Sequence, residues 1–201
     1  MAVGVSCFWG VVMSVSDVYR IELEASGDLV DDAVHALKII DVVHHEVHEG
    51  EMFSADHVAT TVADAASVDV LFQAGAGKDS HFVFDVSAGG AVRVYLYEGP
   101  TISAVGTALT PYNLNRRSAR QPGSQVSHTP TVGAVGTTVL IGGRYLAGGA
   151  SAQTRIGGGL RPGLERILAP GRTYLLRVTN VSGSAITISV AAEWYEESIE
   201  G

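Results

Sequence analysis

The sequence predicts an all-β protein: an antiparallel, jelly-roll-like β-sandwich with an extended N-terminal arm and two long loops containing Gly and Arg. Three observations predict it. Between Tyr174 and Tyr195 apolar and polar residues alternate with a period of two, the mark of strands with one buried and one wet face. Apolar residues make up 46% of the chain and charged ones 17%, with 24 glycines among 201 residues, which suits an ordered, turn-rich β protein and not a disordered chain. From Phe53 onward, short apolar runs recur between turn signals, as strands of a sandwich or barrel do.

Residues 1–16 are apolar, lack the basic start of a signal peptide and are too short to span a bilayer. A strand, a buried arm, residues from an upstream start codon, and secretion are the open readings. Residues 17–53 form an acidic, His-containing lead. Leu37, Ile39, Ile40, Val42 and Val43 favour extension over helix because most are β-branched, and Glu49-Gly50 closes the segment with a turn. Residues 1–53 are therefore expected to be an arm and linker with one or two strands, ahead of a sandwich domain at 54–201.

In the sandwich, Ser67–Gln73 is a strand with Val68, Val70 and Phe72 on one face, followed by a turn over Gly75–Asp79. His81–Val86 and Ala91–Glu98 flank a Gly-containing turn and read as a hairpin. Phe82, Phe84, Val86, Val92, Val94 and Leu96 face inward. Residues 137–141 and 164–168 supply further short strands. In the last third, Tyr174, Leu176 and Val178 alternate with Leu175, Arg177 and Thr179. Ile186, Ile188, Val190, Ala192 and Trp194 alternate with residues ending in Tyr195. Register places Trp194 in the core and Tyr195 on an accessible face. A sugar-stacking role for Trp194 is the lesser alternative.

Two interruptions, Leu109–Pro130 and Gly142–Gly159, exceed the usual loop length of about 12–15 residues. Both carry Arg and Tyr, residues enriched at interfaces. They are expected to be ordered by a partner, with a mobile surface as the alternative. Arg116, Arg117, Arg120, Arg144 and Tyr145 are the candidate contact residues.

Net charge is −8, unevenly distributed. Residues 1–92 hold 15 acids and 3 bases, and residues 93–201 hold 10 bases and 6 acids. Those ten bases are all Arg, and nine of them lie between Arg116 and Arg177, where Glu165 is the only acid. Arg forms bidentate ion pairs better than Lys, so an acidic front and an Arg-rich back suit pairing between subunits. A solvated surface is the competing reading. Acidic overall charge, with no basic run interleaved with aromatics, speaks against nucleic acid as a partner. No membrane partner is expected.

The lone Cys7 excludes an internal disulfide and a cysteine-rich zinc site. His44, His45 and His48 invite a metal reading. However, His45 stands where the metalloprotease motif needs Glu. If the segment is extended, His44, Glu46 and His48 share a face and make a weak site. The favoured role is polar contact at a subunit interface that responds to pH. His57, His81 and His128 are too scattered in sequence to count as ligands. There is no nucleophile elbow and no phosphate loop, and Cys7 sits in an apolar run where a thiol is inert. No catalytic residue, metal or cofactor is assigned, and the chain is expected not to be an enzyme.

Five short blocks occur in order: His44–Phe53, Leu109–Arg116, His128–Thr131, Thr173–Asn180 and Glu193–Glu196. As a set they resemble structural proteins from the virions of tailed bacteriophages, over roughly residues 31–201. The resemblance implies a virion component, made in the host cytoplasm, that decorates and stabilises the outside of the head as a cement protein. It implies the major capsid protein and further copies of the same chain, as a homotrimer, as partners. A receptor- or carbohydrate-binding module on a tail or head fibre is the rival expectation, and a virion-borne hydrolase a third.

Overall fold

The period-two pattern becomes two antiparallel sheets packed face to face. The computed structural model describes residues 30–31, 36–37, 42–138, 144–147, 156–157 and 165–198. The expectations for residues 1–16, and most of those for 142–159, lie outside these residues. The chain divides into two units, Met1–His45 and Glu46–Gly201. In the first, β1 (Val30–Asp31) pairs with β2 (Ala36–Leu37).

A helix, α1 (Val42–Glu49), precedes the strands of the second unit. The extended conformation expected here from its β-branched residues is thus corrected. Propensity is a weak force over eight residues, and the helix end is well capped. Gly50 takes φ 74°, its N–H donates to Val47 O, and the Glu51 N–H donates to Glu46 O. This is a Schellman closure, which needs a left-handed residue that glycine adopts without strain.

The strands then follow as β3 (Met52–Val62), β4 (Ser67–Gln73), β5 (Lys78–Ala88), β6 (Val92–Glu98), β7 (Thr101–Ala104), β8 (Thr107–Ala108), β9 (Tyr112–Asn113) and β10 (Gln125–His128). After them come β11 (Thr131–Ala134), β12 (Thr137–Thr138), β13 (Arg144–Leu146), β14 (Ile156–Gly157), β15 (Arg166–Leu168), β16 (Thr173–Asn180) and β17 (Ile186–Ser198). One sheet has the order β12-β6-β16-β4-β10-β8, with β13 also on β6. The other runs β14-β5-β17-β3-β9, with β15 also on β5, and β7 pairs separately with β11.

Successive long strands change sheet. β3 and β5 lie in one layer, β4 and β6 in the other, and β16 and β17 enter the centre of each. The expected hairpin at residues 81–98 is therefore corrected: β5 and β6 do not pair but face each other across the core. The chain does turn at Gly89 and Gly90, but a short turn serves an arch between layers as well as a hairpin. Phe82, Phe84, Val86, Val92, Val94 and Leu96 face inward as expected, and all are buried.

The core centres on Trp194, which is fully buried. Its ring lies 5.3 Å from Phe72, edge-on, and 5.9 Å from Phe53, while Phe72 and Phe82 are 4.9 Å apart. Such aromatic pairs add about 0.5–1.5 kcal/mol each beyond burial. Leu71 and Leu175 are also fully buried, although period two places them on the outer face. There the segment around Ile102 and Val105 lies over the sheet and leaves a cavity of about 330 Å³ lined by Leu71, Gln73, Ile102, Val105 and Thr173.

Candidate functional site

The candidate contact residues fall on opposite edges of the sandwich. Arg116, Arg117 and Arg120 follow β9, at the β3 edge. Arg144 and Tyr145 lie on β13, at the β6 edge. His44, His45 and His48 lie on α1, where helical spacing sets His44 and His48 one turn apart.

The loop after β9 is fastened to its own chain by side-chain hydrogen bonds. Asn113 Nδ2 donates to Gly50 O at 2.7 Å, and Asn115 Nδ2 donates to His48 O at 2.9 Å. Arg120 Nη1 donates to Glu49 O at 3.3 Å and also pairs with Glu51. The carbonyls of His48 and Glu49 at the end of α1, which have no partner inside a helix, and that of Gly50 just beyond it are thus satisfied by loop side chains. Within the loop, Asn113 Oδ1 accepts from Asn115 N, and Asn115 Oδ1 accepts from Arg117 N. These Asx turns fix the backbone locally. The Arg116 guanidinium lies 5.9 Å from the ring of Tyr112, which is exposed.

The far end of the loop is anchored by Glu196, a buried carboxylate on β17. Its Oε2 accepts from Gly123 N and its Oε1 from Ser124 N, both at 2.8 Å, and Trp194 Nε1 reaches Oε1 at 3.4 Å. Ser124 Oγ accepts from Gly75 N at 3.0 Å and lies 3.1 Å from Ser80 Oγ. Gly75 approaches so closely that a Cβ there would sit 2.9 Å from the Gly123 carbonyl carbon. Hydrogen bonds of this kind to a charged acceptor are among the stronger ones in proteins.

At the opposite edge, Arg144-Tyr145-Leu146 on β13 and Arg166-Ile167-Leu168 on β15 repeat one pattern. In each, the Arg is half-buried, the middle residue exposed and the Leu buried. Register aligns Arg144 with Val94 and Arg166 with Phe82, so both Arg side chains point to the inner side, one from each sheet. Arg166 lies 5.9 Å from the Phe84 ring, and its Nη1 is buried without a hydrogen-bond partner. Burial first, then the Arg144 charge, lower its pKa. Outside, the Arg93 guanidinium is 5.9 Å from the Tyr145 ring.

Sequence reasoning missed three groupings that only the tertiary fold creates. His57 on β3 and His128 on β10 stack at 4.0 Å. Burial and then the neighbouring His128 lower the pKa of His57. His81 stacks on Tyr195 at 4.3 Å and lies 3.2 Å from Glu165 and 3.4 Å from Glu197. Tyr195 is buried, not accessible as expected, and donates to Glu165 Oε2 at 3.3 Å. Burial, followed by the charges of Glu165 and Glu197, raises its pKa well above the ordinary phenol value. Asp69 and Arg177, directly opposite on β4 and β16, form a bidentate pair with two 2.7 Å bonds, which raises the Arg177 pKa.

Among the described residues, no group of three or more His, Cys, Asp or Glu side chains is arranged to hold a metal ion. Also among them, no helix is long and apolar enough to cross a membrane. No family model, curated protein or solved structure matches this chain.

Proposed function

We propose that this chain is a structural protein of a tailed-bacteriophage virion that binds the outside of the head and stabilises it. The observation that carries the proposal is the loop over residues 113–124. It is tied at one end to the last carbonyls of α1 and at the other to the buried Glu196 carboxylate. A displayed Arg- and Tyr-bearing surface held this way loses little freedom when it docks, so a modest interface binds tightly. Many copies on one shell then add their contacts by avidity. The ordered resemblance of five blocks to virion proteins supports the same reading. The rival carbohydrate-binding role loses its best platform, because Trp194 is fully buried between the two sheets.

The test is co-sedimentation of the purified protein with heads that lack it. Saturable binding is expected, and it weakens at least tenfold when Arg116 and Arg117 are changed to Glu, by roughly the loss of one or two charge contacts. Heads that bind neither protein, or both equally, would overturn the proposal.

A further inference from the structure

Residues 100–107, Pro-Thr-Ile-Ser-Ala-Val-Gly-Thr, return thirty positions later as Pro-Thr-Val-Gly-Ala-Val-Gly-Thr at 130–137, with six of the eight residues identical. The fold relates the two copies by a local two-fold axis. β7 of the first pairs antiparallel with β11 of the second, with Ile102 opposite Val132, and Thr101 opposite Ala134 just as Ala104 is opposite Thr131. β8 pairs with β10 through Thr107 and His128, and β12 pairs with β6 through Thr137 and Glu98, the same contact displaced by thirty residues. Beneath them β10 adds to β4 as β6 adds to β16, and Leu71 is opposite Leu175 at the centre. Hydrogen bonds follow the same axis, since Gly99 N donates to Thr173 O at 2.9 Å and Thr129 N to Asp69 O at 3.1 Å. Gly106 and Gly136 take φ of 83° and 85°, and a Cβ on them would collide with the carbonyls of His128 and Glu98 respectively.

Backbone geometry accounts for the shared prolines and glycines. It does not account for Thr101, Ala104, Val105 and Thr107 and their counterparts. The strands that carry the two arms keep one pairing with different residues, for 95–98 of β6 and 125–128 of β10 share none of four. A duplication too young to have diverged would have kept those strands alike as well. Identity is instead confined to the arms, where Thr101, Ala104, Thr107, Thr131, Ala134 and Thr137 are exposed and Val105 is 49% exposed. Folding alone holds exposed positions to no one residue, because changes there cost little stability. The repeated surface is also uncharged, with no Lys, Arg, Asp or Glu in 99–109 or 129–138, in a chain of net charge −8.

We propose that the arms β7/β8 and β11/β12 dock on two neighbouring copies of one shell subunit across a two-fold axis, one arm to each copy. Two arms of one chemistry with a two-fold between them match two identical partner sites of the same symmetry. Identical subunits packed side by side in a closed shell supply such sites. Thr, Ala and Val side chains suit an uncharged patch, so this contact tolerates salt, whereas exposed charge contacts are screened. Two modest contacts made at once give avidity within a single molecule. The inference rests on the reading above that the chain binds a head, and it names a second surface and the symmetry of the place it occupies.

Photo-cross-linking tests it, with p-benzoylphenylalanine at Ala104 in one protein and at Ala134 in another, each bound to heads that lack the natural protein. Mass spectrometry is expected to find both positions joined to the same peptide of the shell protein. A104R and A134R should each weaken head binding roughly tenfold and by similar factors, because each strands a charge in one of two equivalent contacts. Far-UV circular dichroism and the urea midpoint check folding, and Thr107 and Thr137 carry the same probes if a protein altered at 104 or 134 does not fold. Head binding with cross-links from one arm only, from neither, or to different peptides overturns the proposal and leaves the virion role standing. Cross-links between copies of this chain in the absence of heads mean that a second copy covers the arms, and overturn it as well. A wild type that binds no heads removes the virion role and this partner together.

Discussion

Replacing Glu196 with Gln removes a charge and one acceptor from a site where two backbone N–H groups and an indole converge. The Gly123 and Ser124 N–H groups donate to different oxygens, each at 2.8 Å. The Gln amide offers only one oxygen, so one N–H meets an NH₂ group and is left unsatisfied. A hydrogen bond to a charged group is worth about 1.5–3 kcal/mol, and a stranded buried donor costs about 1–3 kcal/mol. These overlap as descriptions of one loss, so E196Q should destabilise by about 2–3 kcal/mol. For a chain of this size about 1 kcal/mol moves Tm by roughly 2–4 °C, which gives a fall of about 4–12 °C. Urea unfolding should show a lower midpoint at unchanged slope, and amide exchange at Gly123 and Ser124 should quicken. Because the same bonds anchor the Arg116–Arg120 loop, head binding should weaken although no contact residue has changed. A variant as stable as wild type, with equally protected loop amides, would refute the assignment of Glu196 as the anchor.

Three further predictions follow from the same structure. Trp194→Ala should cost about 3–5 kcal/mol, as large aromatic truncations in closed cores do, with a urea midpoint near wild type as the contrary result. Gly75→Ala should lower stability through the close approach to Gly123, measured as a reduced Tm, whereas an unchanged or higher Tm would mean the backbones part at no cost. The pKa of His57 is depressed from 6.5, so its neutral form favours the folded state. That stability is complete above about pH 6.5 and falls as pH drops from there through the folded value. H57F should flatten the acid limb of a stability–pH curve, and H128Q should raise the His57 pKa only in part, because burial is the larger cause. An NMR titration of His57 at or above 6.5 in the wild type would contradict this.

The two-layer β architecture was legible because its signal is local. Alternation in β4, β5, β6, β16 and β17 names the buried face of each strand without any knowledge of its partners. Pairing was not legible. The arch between β5 and β6 and the insertion of β16 and β17 between earlier strands depend on contacts far apart in sequence, and the same turn residues serve either geometry. The α1 helix was hidden because its stabilisers, Asn113, Asn115 and Arg120, arrive more than 60 residues after the helix ends. Arg116, Arg117, Arg120, Arg144 and Tyr145 were visible as Arg- and Tyr-bearing loop residues. Arg166 and Ile167 were not, since only register gathers them. One signal was available: Arg-Tyr-Leu at 144 and Arg-Ile-Leu at 166 share a pattern that two equivalent edge strands repeat.

The proposed virion role is tested most directly by the copy number of this protein in purified particles, determined by quantitative mass spectrometry against the major capsid protein. A head decoration protein predicts hundreds of copies in a simple ratio to capsid protein. A handful of copies would place it in the tail, neck or fibre, and its absence from particles would contradict a virion role altogether.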